Sequence, residues 1–408
     1  MTASNQRIAQ ELSLSKRLAP FKRLFTNPTF NSFKGIVKSI MKNADNGTFA
    51  QFSQDIGKCI SSVGYFFSKA KWDATEVKRK LQQMLLNNED TKPIEGDVLS
   101  VDSSSLAKDG DSFQFIGDVH DTTDDRMKSG YEMFAAAVVS PSRKRRWLFD
   151  FLLCSNKDPK FDSKAKYLIR LLDKAFHVIN PISTVLLDRG LKFKYALAFV
   201  LKQEKNFIVR AQADMIMEDG TKKGCTFGNL KNMEGSQTIN LEINNKKGWI
   251  VTYAKGTVRA WKGTIAIPMT VISVKNPSFK NPLIIVTNLE AKDTDEAFGL
   301  YQTYLLRWKI EQIFQTLKEM GLEAFRVRSM KAIVRYLTMI LIVHNLLVWL
   351  LSFIEHLTRL KRKIERFLKT ANKIPRLLIG GLKIFYEYVF KKRISLKGLF
   401  ALKISGNV

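Results

Sequence analysis

Cysteine and histidine are scarce in this chain: Cys59, Cys154 and Cys225 are the three cysteines of 408 residues, and there are four histidines. The cysteines lie far apart and no His/Cys spacing suits a structural zinc site, so the expectation is reduced, buried thiols in an intracellular protein. Acid is also short: 38 Asp and Glu stand against 66 Lys and Arg, a formal net charge of +28 with a pI near 9.9. A surface with that field calls for a polyanionic partner, although charge alone does not separate DNA from RNA or from an anionic membrane. Internal repeats and low-complexity tracts are absent. The N-terminus shows no basic stretch followed by an apolar run and a small-residue cleavage site, so no secretory signal is expected.

One long hydrophobic run breaks the pattern. Tyr336 to Ile354 (YLTMILIVHNLLVWLLSFI) is long enough to cross a bilayer. His344 and Asn345 sit at its middle, and basic residues flank both ends (Arg328, Lys331 and Arg335; Arg359, Lys361, Arg362 and Lys363), so it has no sidedness of the positive-inside kind. It reads as a buried core helix, and no membrane partner is expected.

What is present is the composition of a packed globular protein, 45% hydrophobic and 11% aromatic, of a length that implies two or three domains. Residues 1–95 read as a helical, basic domain carrying Lys22, Arg23, Lys34, Lys38 and Lys42. Thr48 to Leu86 within it divides into short helices with breaks near Ser61 to Gly64 and near Trp72 to Ala74. That pattern suits a helix-turn-helix that recognises a DNA end, or a three-helix packing domain without base contacts. After a linker with Pro93 the period changes. Strands are expected over Asp97 to Ser104, Tyr131 to Val139, Arg146 to Cys154 and Thr184 to Leu187, with helices over Lys164 to Phe176 and Lys192 to Lys205. Three strands, a helix, a strand and a helix is the order of an RNase H-like α/β core, here residues 96–205. Residues 206–288 form a β-rich insertion, residues 289–355 the second part of the core, and residues 356–408 a basic helical C-terminal region. The expected fold is thus an α/β, RNase H-like catalytic core interrupted by a β-rich insertion, with helical N- and C-terminal regions.

The most informative stretch is YLLRWKIEQIFQTLK, in a helix expected over Asp293 to Met320. At about 100° per residue, Tyr304, Arg307, Glu311 and Lys318 fall on one stripe, beside an apolar arc of Leu306, Ile310, Ile313, Phe314 and Leu317. A carboxylate, two cations and a phenol therefore line the edge of a buried interface. Two aspartates precede them at strand ends, Asp102 in LSVDSSS and Asp188 in VLLDRG. Asp109, Asp111, Asp118, Asp121, Asp124 and Asp125 rival Asp102, but they follow no recognisable strand. Carboxylates of this kind are hard oxygen ligands that gather divalent cations without histidine or cysteine.

This stretch resembles the Y-x2-R-x3-E-x6-K signature of bacterial insertion-sequence transposases of family four, the cut-and-paste DDE type. The resemblance extends over nearly the whole chain. It implies that Asp102, Asp188 and Glu311 are the catalytic, metal-binding acids for two Mg²⁺ ions, with Mn²⁺ as a substitute. It implies that Tyr304, Arg307, Lys318 and the adjacent Trp308 contact DNA. The implied activity is binding of the inverted-repeat ends of an element, cleavage by two-metal-ion phosphoryl transfer through a hairpin intermediate, and joining of the 3′ ends to target DNA. A homodimer on double-stranded DNA and a cytoplasmic, nucleoid-associated location go with it. A catalytically silent DNA-binding regulator and a divalent-metal nuclease are the competing readings. The tryptophan that some members of the family carry near the last strand before the signature helix has no counterpart here, because LIIVT stands there. Trp249 and Trp261 remain open between base stacking and strand-core packing.

Overall fold

The computed structural model describes residues 14–42, 48–110, 112–121, 125–218, 223–243 and 246–370, with side chains of the last helix described as far as Ser352. The expected basic tail, including Phe385, Tyr386, Tyr388, Lys391, Lys392 and Arg393, lies outside these residues, and the side chains of Lys361, Arg362 and Lys363 lie outside them too. The chain divides into two compact units: residues 1–85, 319–327 and 331–408 form one, residues 86–318 and 328–330 the other.

The first unit is helical. Its elements are α1 (Leu14–Leu18), α2 (Asn27–Lys42), α3 (Phe49–Ile56), α4 (Ile60–Ser68), α5 (Ala74–Leu86) and most of α10 (Met330–Thr370). The Thr48 side chain accepts from the Gln51 amide to start α3, and Gly57 ends it with φ +65°, a left-handed conformation that glycine adopts without a Cβ penalty. The break between α3 and α4 therefore falls at residues 57–59, not near Ser61 to Gly64, where α4 is continuous. Phe21, Phe33, Phe66, Phe67 and Tyr336 are buried, with Trp72 stacked on Phe66 and Phe49 on Phe67. Each such ring contributes about 2 kcal/mol of burial.

The hydrophobic run belongs to α10. Met330–Ser352 is long and apolar enough to cross a membrane, yet 72% of its most apolar stretch is buried inside the protein, as in a core helix. Its Tyr336 lies among Phe49, Phe52, Phe67 and Phe325. Buried Arg335 spends its guanidinium on backbone: Nη1 donates to the Phe67 carbonyl at 3.0 Å, and Nη2 to those of Ala70 at 2.9 Å and Trp72. It also lies 4.7 Å from the Trp72 ring centroid. These carbonyls end α4 and open the turn into α5, so one side chain closes the bundle there.

The second unit is built on a 10-stranded sheet of order β2-β3-β1-β5-β6-β12-β11-β10-β9, with β4 paired to β3. The strands are β1 (Val98–Ala107), β2 (Gly117–Asp121), β3 (Arg126–Ser140), β4 (Arg145–Cys154), β5 (Thr184–Leu187), β6 (Asn206–Arg210), β9 (Gln237–Ile243), β10 (Lys246–Gly256), β11 (Met269–Lys275) and β12 (Leu283–Thr287); β7 (Ile216–Met217) and β8 (Cys225–Thr226) form a small separate pair. β1, β3 and β4 are antiparallel neighbours, and β5 and β6 continue from β1 in parallel. Parallel pairing needs crossovers, supplied by α6 (Lys164–Val178) and α7 (Lys194–Lys202).

Three departures from expectation have physical causes. The strands from Asn206 onward extend the main sheet through β12–β6 pairing, so β6 is a direct neighbour of β5. β2, which carries Asp118 and Asp121, is a strand that hydrophobic patterning did not show, because this short edge has one apolar residue, Val119. The long helix expected over Asp293 to Met320 is two helices, α8 (Thr294–Leu305) and α9 (Trp308–Glu319). Asp293 caps the first by accepting from the Glu296 amide at 2.8 Å. Leu306, Arg307, Lys309 and Ile310 then bond three residues back rather than four, a 3-10 turn that re-phases the second helix.

If Arg335 closes the helical unit, replacing it with Met strands buried carbonyls. Arg335→Met is expected to lower the unfolding free energy by about 3 kcal/mol, and Arg335→Lys by nearly as much because an ammonium's three donors radiate from one nitrogen and cannot span carbonyls that Nη1 and Nη2 reach separately. Urea denaturation checks both, and an unchanged midpoint would remove this role.

Candidate active site

The register of the parallel strands builds the site. β1 and β5 pair up to Val101 and Leu187, and β5 and β6 up to Leu187 and Val209. The next residue on each is Asp102, Asp188 and Arg210, a row of two acids and a base where the parallel pairing stops. Side chains alternate along a strand, so Asp102 shares a face with Ser100 and Val98, Asp188 with Leu186, and Arg210 with Ile208. Val98, Leu186 and Ile208 pack in one buried cluster with Ala297, Tyr301 and Tyr304 of α8. The face that bears the acids is therefore the one α8 covers, and burial of its apolar residues fixes which way the carboxylates point.

The 3-10 turn brings the third acid. Residues three apart eclipse in such a turn, which places Arg307 directly after Tyr304 on one face and lets Arg307 Nε donate to the Tyr304 hydroxyl at 3.1 Å. Ser100 Oγ donates to the Arg307 carbonyl at 3.3 Å, tying the joint to β1. The guanidinium of Arg307, a residue only 4% exposed, then meets all three acids: Nη1 donates to Asp102 Oδ2 at 2.9 Å, Nη2 to Glu311 Oε1 at 2.5 Å, and Nε lies 3.7 Å from Asp188 Oδ1. The Tyr304 hydroxyl donates to Asp188 at 3.4 Å.

Burial pushes the Asp102 carboxyl up to about 7, against the pull of Arg307 and with the help of Asp188 and Glu311. Burial likewise pushes the Tyr304 phenol up, so the hydroxyl stays a neutral donor and acceptor. Burial works against the charge on Arg307, but Tyr304 and the surrounding acids outweigh it and the guanidinium stays protonated. Three carboxylates around one cation leave a net negative pocket, which favours added positive charge.

The acids fit divalent cations by chemistry: all donors are carboxylate oxygens, the set suited to Mg²⁺ or Mn²⁺. Among the described residues no group of three Asp, Glu, His or Cys side chains is arranged to hold a metal ion, and Arg307 stands among these three acids, paired with each.

The other sequence-derived residues take distinct places. Lys318 is exposed on α9, seven residues after Glu311 and hence on the same side. Trp308 is 56% exposed beside Arg307, whereas Tyr304 is fully buried. Of Asp102's rivals, Asp121 pairs with Lys128 at 2.7 Å and Asp125 with His120 at 3.2 Å; Asp118 and Asp109 are exposed, and Asp111 and Asp124 lie outside the described residues. Trp249 packs edge-on against Phe298 and Tyr301, and buried Trp261 edge-on against Phe207, so both serve the core.

Sequence reasoning missed Arg210 and Ser100. Arg210 is half-buried, and its charge reaches Tyr304. Only the β5–β6 register could have found it, and that register was hidden while Asn206 read as the start of the β-rich insertion within the catalytic fold. Lys192 and Lys194, following Asp188, line a cavity of about 400 Å³ with Gln212, Asp214 and Trp261.

Residues 152–346 match the family described as the transposase DDE domain. The match includes Asp188, Arg210, Tyr304, Arg307, Glu311 and Lys318, while Asp102 precedes it. No curated protein matches the chain. Among solved structures, the chain is similar to the piggyBac transposase synaptic complex with hairpin DNA, determined by cryo-EM, with a TM-score of 0.43 and 11% identity over 99% of this chain and 80% of that one. The matching segment supports a DDE transposase.

The hydroxyl of Tyr304 can be separated from its ring. Tyr304→Phe, which removes the link between Asp188 and Arg307, is expected to cost about 1 kcal/mol of stability, against about 4 kcal/mol for Tyr304→Ala. Chemical denaturation of the two variants measures this, and equal losses would show that the hydroxyl carries no part of the network.

Proposed function

We propose that the chain is a DDE transposase with an RNase H-like core. It binds the inverted-repeat ends of a mobile element, cuts them and joins the 3′ ends to target DNA. The observation that carries this reading is the convergence of Asp102, Asp188 and Glu311, from two neighbouring parallel strands and the following helix, on one guanidinium. An antiparallel triplet of strands continued by a parallel pair is the plan expected of the RNase H-like core, and the family match supports the DDE class. Assignment to insertion-sequence family four rests on the Tyr304, Arg307, Glu311 and Lys318 pattern.

DDE transposases generally use divalent metals, and here Asp102, Asp188 and Glu311 would hold two ions, Mg²⁺ or in its place Mn²⁺. When bound, such a pair supplies activation of a water or 3′-hydroxyl and stabilisation of the leaving oxygen at phosphorus. The chain's own residues do the positioning. The Tyr304 hydroxyl orients Asp188, and Ser100 anchors the joint that presents Arg307 and Glu311. Arg210 and Lys318 hold DNA phosphates on either side of the acids, and exposed Trp308 offers an aromatic face to a base. The basic helical unit recognises the element ends. A homodimer on double-stranded DNA, a hairpin intermediate, and a cytoplasmic location at the nucleoid belong to the same proposal.

Incubation of the protein with Mg²⁺ and DNA carrying the element's ends tests the reading. Cleavage followed by joined product is expected; cleavage alone indicates a nuclease, and binding alone a regulator. Asp188→Asn and Glu311→Gln barely change shape, and each is expected to lower cleavage by at least about a thousandfold while end binding persists. Asp102→Asn is expected to behave alike. A variant with wild-type cleavage would lose its place among the acids.

A further inference from the structure

We infer that Arg307 and the divalent cations compete for the same carboxylates, so that Arg307 is the built-in counter-cation of the metal site and is released from it when metal binds. The inference rests on the transposase reading of these acids and adds to it a control on when the site loads.

The geometry makes the two occupants exclusive. Every nitrogen of the guanidinium is engaged: Nη1 with Asp102, Nη2 with Glu311, and Nε with the Tyr304 hydroxyl and, at 3.7 Å, with Asp188. Arg307 is thus the hub of the three acids, which otherwise repel one another. A Mg²⁺ ion takes carboxylate oxygens at about 2.1 Å. A guanidinium bonded to those oxygens fills the space in which the ion would sit, in keeping with the lack of any metal-ready acidic cluster among the described residues. Closing the acids on a metal therefore requires the guanidinium to withdraw.

The chain provides for the withdrawal. Arg307 lies at the 3-10 joint between α8 and α9, not within a continuous helix, and the joint's three-residue bonds have poorer geometry than those of an α-helix. Its neighbour Trp308 is largely exposed, so the joint borders solvent. A guanidinium that leaves the acids carries five donors in a planar fork suited to a phosphate diester. Metal binding and presentation of Arg307 to the DNA backbone are then one event, and DNA that captures the freed guanidinium tightens metal binding in return. If the acids are free of Arg307 in about one molecule in ten, the apparent metal affinity is about tenfold below its intrinsic value.

The test is calorimetric titration of Mn²⁺ into the full-length protein without DNA, comparing wild type with Arg307→Met, which keeps an unbranched apolar stem and removes the charge. The variant is expected to bind Mn²⁺ at least about tenfold more tightly and to gain more thermal stability from saturating Mn²⁺ than wild type does. Equal or weaker binding by the variant, with Glu311→Gln still abolishing binding to wild type, overturns the competition and leaves the metal reading intact. No binding by either protein overturns both.

Should Arg307→Met not fold, wild type labelled with ¹⁵N-arginine carries the same test. The Arg307 Nε–H signal, assigned by its loss in Arg307→Lys, is expected to shift and to exchange faster with water when Mg²⁺ is added. A signal unchanged at saturating Mg²⁺ contradicts the inference.

Discussion

Like charges placed side by side in a half-buried setting need a cation, and the second unit of this protein is arranged around that requirement. Asp102 and Asp188 stand together where the β1–β5 pairing ends, and Glu311 reaches the same point from α9. Water cannot screen them fully, and burial already drives Asp102 toward its neutral form. Arg307 holds the three together with donors fixed in one plane. Removing one partner from such a set costs far more than the set contributes as a whole, because the remaining charges stay buried.

The rest of the unit places that guanidinium. The apolar face shared by Val98, Leu186 and Ile208 docks α8, which delivers Tyr304; the 3-10 turn aligns Arg307 with it; Ser100 ties the turn back to β1. Apart from the local Arg307–Tyr304 bond, the contacts join distant positions: Ser100 and Arg307 are 207 apart, and Tyr304 and Asp188 116. A site assembled over such separations depends on a rigid sheet, which the pairing through β12, β11, β10 and β9 extends beyond β6.

Much of this was legible in the sequence, unevenly. Thr184–Leu187 announced itself as a short buried strand ended by Asp188, and Lys164 to Phe176 as a helix that the structure carries on to Val178, because local apolar period decides both. The acids and the Tyr304-Arg307-Glu311 spacing could be named individually. Their meeting on one guanidinium could not, since it follows from strand register and from a 3-10 turn that a constant 100° per residue does not describe. β2 stayed hidden because a one-sided edge strand needs few apolar residues, and the end of α3 because Gly57 acts through backbone conformation rather than pattern. Arg210 was invisible for a related reason: a lone arginine at the end of a strand acquires meaning only from the neighbour that pairing gives it.

The central claim is that Asp102, Asp188 and Glu311 form one cation site in which Arg307 takes the cation's place. Anomalous scattering from crystals of the wild-type protein grown with Mn²⁺ tests it most directly. The account predicts manganese peaks beside all three carboxylates, with the Arg307 guanidinium moved away from them. Manganese bound elsewhere, or bound to these acids while Arg307 keeps its contacts with Asp102 and Glu311, would contradict it.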